Sequence, residues 1–177
     1  PCRMVFDASS RTPNGGESLN ALLPKGQNLL IKILHLLIRF KILLHAFTCD
    51  VSMAYNQIKL AKEFYKFQKY LWIDNLQPGN PVEEMVVRTL IYGVKSSGNQ
   101  TAVGFERLST YCEKYHPEYL EGAQVLRDNT YVDDVLDSSQ TEEERERKIS
   151  GVKFTLDLGV MSVKGFTRSG QSPLEEL

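Results

Sequence analysis

Thr130-Tyr131-Val132-Asp133-Asp134-Val135-Leu136 is the stretch on which the reading of this chain turns. Two short apolar arms, Tyr131-Val132 and Val135-Leu136, flank adjacent carboxylates, which predicts a β-hairpin with Asp133 and Asp134 at its tip. An Asp-Asp pair in a turn needs no function, but apolar arms on both sides anchor this tip to a core. A second acid stands at a strand end earlier in the chain. Residues 43–48 turn strand-like and lead into Cys49-Asp50-Val51, so Asp50 sits where a strand leaves the core. Carboxylates brought together repel unless a cation neutralises them. If the two strands are sheet neighbours, the acids converge on an oxygen-ligand site suited to Mg²⁺. Two such ions roughly 3.5–4 Å apart are the usual device for in-line nucleotidyl transfer.

Working outward, the order of elements is that of an α+β fold with helices on one face of an antiparallel sheet. Met4-Val5-Phe6 predicts a short strand before a Gly/Pro/Asn-rich loop. Residues 29–44 are the most apolar stretch, and Lys32, His35 and Arg39 at i, i+3 and i+7 give its first part the pattern of a helix with one wet face. Residues 53–64 read as a short helix or turn, and 65–73 as a strand on the alternation of Phe67, Tyr70 and Trp72. Residues 75–81 are a turn cluster, and 85–92 a strand closed by Gly93. A helix begins near Ser97 and is stopped by Pro117. Thr141 with Glu144 three positions on is a capping-box pattern, opening a helix to about residue 156, with a last strand over 161–166.

Composition narrows the classes. The 177 residues carry 21 Lys+Arg and 22 Asp+Glu, and are 42% hydrophobic with a mean hydropathy of −0.28. That fits one domain or a little more, neither disordered nor membrane-spanning, and no apolar run reaches the roughly 18 residues a spanning helix needs. Charge is uneven: residues 1–75 have a balance of +5 and residues 76–177 of −6. A uniformly basic nucleic-acid coat is excluded, a local basic groove is not. Cys2, Cys49 and Cys112, odd in number and widely spaced, read as reduced intracellular thiols. With Pro1 at its start and no leader pattern, the chain is expected to be a fragment.

Tyr131-Val132-Asp133-Asp134 resembles the YxDD box of reverse transcriptases, and the run from Cys49-Asp50-Val51 through Tyr55 to Leu60 resembles that family's first carboxylate motif. The resemblance is closest to the BEL/Pao class of LTR retrotransposons. Arg3-Met4-Val5-Phe6-Asp7-Ala8-Ser9 with Ser18-Leu19-Asn20 is similar to that class's opening. Leu90-Ile91-Tyr92-Gly93-Val94-Lys95-Ser96-Ser97-Gly98-Asn99-Gln100 is similar to its middle block, and Val163-Lys164-Gly165-Phe166-Thr167-Arg168-Ser169-Gly170 to the segment after its palm. The ordered blocks span nearly the whole chain.

The resemblance implies a reverse-transcriptase palm with part of the fingers over residues 1–170. Roughly 1–45 and 56–95 would contribute fingers elements and 171–177 a tail, with thumb, protease, RNase H and integrase segments expected to lie outside the chain. It implies Asp50 and Asp133 as ligands of two Mg²⁺ ions (Mn²⁺ as a substitute), Asp134 as a less direct third acid, and the backbone at Val51 as a further oxygen ligand. Arg3 would clamp the triphosphate of a dNTP, Tyr55 would stand under its sugar, and Tyr92 and Gly93 would pack against it. Lys164 would protonate pyrophosphate. The partners implied are an RNA or DNA template-primer, dNTP and the rest of a Gag-Pol-like polyprotein, without a membrane. The expected location is intracellular, in a cytoplasmic virus-like particle, and the chain alone is expected to be weak or inactive. The competing reading is a degenerate or domesticated retroelement fragment that binds nucleic acid or protein without catalysis.

Overall fold

Alternation along His45–Val51 buries Phe47, Cys49 and Val51 and leaves Thr48 and Asp50 on the opposite face. That strand, β1, is central to a four-stranded sheet. The computed structural model describes residues 5–11, 13–76 and 79–170. In chain order the elements are α1 (Leu19–Leu22), α2 (Ile33–Ile42), β1, α3 (Ala54–Gln57), β2 (Lys69–Trp72), β3 (Glu83–Val86), α4 (Ser97–Tyr115), α5 (Leu120–Asp128), β4 (Thr130–Tyr131), β5 (Asp134–Ser139), α6 (Glu142–Leu158) and β6 (Val163–Arg168). 3₁₀ segments lie at Lys62–Phe67, Asp74–Leu76 and Pro117–Tyr119. The chain forms two compact units, one of Pro1–Gly26 with Tyr55–Ser97 and the other of Gln27–Ala54 with Gly98–Leu177.

The second unit is α+β. Its strands run in the order β4-β5-β1-β6, and every neighbouring pair is antiparallel. Cys49 pairs with Val135 and Phe47 with Asp137, so these four side chains share the buried face. Asp137 is tolerated there because it is matched. Lys148 Nζ of α6 lies 3.0 Å from its Oδ2, and Asn129 donates to its Oδ1 at 2.8 Å. Burial pulls the Lys148 ammonium down, but Asp137 and then Glu144 outweigh it and hold it above the usual lysine range. At the start of α6 the Thr141 hydroxyl accepts from the Glu144 N–H, while the Glu144 carboxylate accepts from the N–H of Gln140 rather than of Thr141. The predicted cap is therefore present with its return bond displaced by one residue.

Between α4 and β4 lies α5, a helix the sequence pattern does not announce. Gly122 is the reason for both facts, since glycine weakens the helical signal yet lets α5 meet α6 backbone to backbone. A Cβ on Gly151 would stand 2.8 Å from the Gly122 Cα, and one on Gly122 would overlap the Gly151 backbone. α2 is present but little buried. Only Leu36 is buried, while Leu34, Ile38 and Ile42 are more than half exposed, because β5 covers a narrower strip of this helix than its apolar content. Among the described residues no helix is long and apolar enough to cross a membrane.

In the first unit β2 and β3 form an antiparallel pair. The first half of the strand expected over 65–73 is taken by the 3₁₀ turn. The strand expected over 85–92 stops at Val86, because the chain changes partner. Arg88 accepts from the Leu60 N–H and the Leu90 N–H donates to Ile58 O, both at 2.9 Å. The expected strand over Met4-Val5-Phe6 begins outside the described residues, and residues 5–7 are not in a strand.

Gly122→Ala is expected to destabilise the chain by about 3 kcal/mol or more, since the added methyl meets fixed backbone rather than a side chain that can turn away. Urea unfolding of the variant beside a surface control in the same helix, Gln124→Ala, checks this.

Candidate active site

The acidic hairpin is a tight one. Tyr131 pairs with Asp134 and Thr130 with Val135, so Val132 and Asp133 are the two central turn residues. Only the first has a positive φ, at 61°, the pattern of a II′ turn, whose first central position usually belongs to glycine. A β-branched residue there stores roughly 1–3 kcal/mol of strain. Packing offsets it, for Val132 is half-buried in a cleft with Leu30, Phe105 and Leu126. The turn is also tied sideways, because the Val51 N–H donates to the Asp133 carbonyl at 2.9 Å.

That tie sets the register. Asp50 stands directly opposite Asp134 across β1 and β5, on the face away from Phe47, Cys49 and Val51. Like charges directly opposed across strands are destabilising. Burial, then Asp134, then Asp50 push the Asp133 carboxyl above the usual carboxylate range, with Lys164 pulling the other way. Beneath them the Cys49 thiol is pushed up to about 12, by burial first and then by Asp50 and Asp134, which keeps it an inert neutral thiol. Lys164 Nζ lies 2.8 Å from Asp50 Oδ1. That oxygen is sealed from solvent and accepts no hydrogen bond, so the contact is an ion pair out of line with hydrogen-bond geometry. Asp50, Asp134 and Lys164 line one open cavity of about 530 Å³ with Thr48, Tyr131 and Thr167.

Of the other candidate residues, Val51 is fully buried beside Asp50, with its N–H given to Asp133. Tyr55, Tyr92 and Gly93 belong to the first unit. There the two tyrosine rings meet edge to face, with centroids 4.5 Å apart and planes at 85°. Gly93 has φ +86°, and a Cβ there would stand 2.8 Å from Phe6 O, so conformation and close approach both require glycine. Arg3 lies outside the described residues. Asn20, quoted in the sequence only as part of a motif, ties this region together. Its amide donates to Gly93 O at 2.8 Å and to Ser9 Oγ at 2.9 Å, and its Oδ1 accepts from the Lys95 N–H at 2.8 Å. No local pattern could have found that role, since its partners are far along the chain.

No protein-family model matches the chain, and no curated protein matches its sequence.

The donor set in the second unit fits a hard divalent cation. It offers carboxylate oxygens only, one of them buried without a hydrogen bond, and it is short of positive charge. Among the described residues no three His, Cys, Asp or Glu side chains stand in a ready-made ligand arrangement. The ammonium of Lys164 stands 2.8 Å from Asp50 Oδ1.

Val132→Ala should cost about 1 kcal/mol, because alanine keeps the unfavourable φ and loses the packing, whereas Val132→Gly, which releases the strain, should be the more stable of the two. Paired urea titrations decide the order, and a glycine variant less stable than the alanine variant would contradict the strained-turn account.

Proposed function

We propose that the chain is the palm, with part of the fingers, of a BEL/Pao-like reverse transcriptase, an RNA-directed DNA polymerase that joins a dNTP to a primer 3′-OH. The observation that carries this reading is the meeting of Asp50 with Asp133-Asp134 on adjacent antiparallel strands, with the Asp133 carbonyl tied to Val51. Two motif blocks far apart in sequence thus come close, with Asp50 and Asp134 on one sheet face and Asp133 in the turn beside them, as their resemblance to the polymerase motifs requires.

On this reading Asp50 and Asp133 hold two Mg²⁺ ions, Mn²⁺ serving as substitute, with Asp134 and the Val51 backbone completing the oxygen set. When bound, such ions lower the pKa of the primer hydroxyl and neutralise the triphosphate. The rest falls to the chain. The hairpin, strained at Val132 and tied at Asp133, keeps the carboxylates from drifting during displacement. Arg3 contributes a planar multi-donor cation for the triphosphate. Tyr55 offers a ring against the sugar that disfavours a 2′-hydroxyl, and Tyr92 with Gly93 provides a flat side chain beside a backbone that a nucleotide can approach closely. Lys164 gives its proton to departing pyrophosphate. The basic balance of residues 1–75 suits template-primer phosphates. The chain would work as part of a Gag-Pol-like polyprotein in a cytoplasmic virus-like particle.

Primer extension on poly(rA)/oligo(dT) with Mg²⁺ or Mn²⁺ tests the reading, using the chain alone and the chain grafted into a fingers-palm-thumb framework. The graft is expected to extend the primer, and Asp133→Asn to reduce extension by on the order of 10²-fold or more. Equal extension by the mutant graft would remove the acids from catalysis.

A further inference from the structure

We propose that Lys164 is a built-in counter-ion for the acidic cluster, an ammonium that neutralises Asp50 in the metal-free protein and must leave before a divalent cation binds. This rests on the reading of the acids as a metal site and adds a resident competitor to it.

The geometry of β6 shows how the lysine reaches that position. Pairing with β1 is regular from Phe47↔Arg168 to Cys49↔Phe166, then slips, so that Val51 pairs with Val163. Two residues, Lys164 and Gly165, therefore stand against the single residue Asp50. An unbroken ladder would have set Gly165 opposite Asp50 and Lys164 opposite Val51, on the buried face. The bulge turns Lys164 over to the acidic face instead. Gly165 supplies the backbone for this at φ +136°, and a Cβ there would touch nothing, so conformation rather than space calls for glycine.

The charge balance shows what the device does. Asp50 faces Asp134 directly, Asp133 lies alongside, and Asp50 Oδ1 is sealed from solvent without a hydrogen bond. An uncompensated buried carboxylate oxygen is costly, and Lys164 Nζ at 2.8 Å offsets that cost. The same ammonium obstructs a metal ion, because an ion on Asp50 would sit against a like charge. Lys164 can leave: its side chain is 55% exposed, and a flexible stem carries the ammonium into the open cavity it helps to line.

The test compares the 177-residue chain with Lys164→Met, Lys164→Arg and Asp50→Asn. Mn²⁺ binding is followed by the electron paramagnetic resonance signal of free Mn²⁺, and metal-free stability by thermal unfolding in EDTA. Lys164→Met is expected to bind Mn²⁺ roughly three- to tenfold more tightly than the parent and to melt lower in EDTA. Lys164→Arg, which keeps the charge, should restore both properties towards the parent, and Asp50→Asn should lose tight binding. Parent and Lys164→Met binding Mn²⁺ equally, or Lys164→Met binding more weakly, would overturn the counter-ion proposal and leave the metal site standing. Failure of both chains to bind Mn²⁺ would overturn the metal-site reading and this proposal with it.

Discussion

Asp50 and Asp134 face each other across β1 and β5 with Asp133 in the adjoining turn, and a chain that keeps these three carboxylates close has to hold them against their repulsion. Much of the second unit can be understood as the means of doing so. The buried row Phe47, Cys49 and Val51 fixes the face on which Asp50 lies, because a slip of one residue would send the acid into the core. The bond from the Val51 N–H to the Asp133 carbonyl fixes the hairpin against β1. The turn itself carries a valine where glycine would be easier, and packing of Val132 in its cleft with Leu30, Phe105 and Leu126 offsets the strain.

The opposite face of the sheet solves a related problem in another way. Asp137 lies among apolar side chains, but Lys148 and Asn129 match it, so its charge is compensated within the fold. Asp50 has only an ion pair from a half-exposed lysine on an edge strand. Two acids on neighbouring strands thus differ in kind. Each keeps one oxygen beside a lysine without a hydrogen bond, but Asp137 also accepts from Asn129 and its lysine is largely buried, whereas the lysine of Asp50 is half-exposed.

What the sequence made legible was local. The arms of the hairpin, the strand ending at Asp50, the helix opened by Thr141 and the stop at Pro117 each depend on residues within a few positions of one another, and each has a counterpart in the structure. What stayed hidden depends on distant partners. Gly122 disguises α5 because its value lies in contact with Gly151 on another helix. The bulge at Lys164-Gly165 exists only relative to β1, so the sequence suggested a role for Lys164 without showing that it touches Asp50. Asn20 carries no signal of its own, yet it bonds to Gly93 and Lys95. The apolar run of α2 suggested a buried helix, but how far a helix is buried depends on what covers it.

Crystals of the chain soaked in Mn²⁺ and measured at the manganese absorption edge give the most direct test of the proposal that the three acids form a divalent-cation site. An anomalous peak is expected within coordinating distance of Asp50 and Asp133, about 2.0–2.2 Å from oxygen ligands as for a small hard cation, with Lys164 turned away from Asp50. No peak at the hairpin, with Lys164 still paired to Asp50 at saturating Mn²⁺, would contradict it.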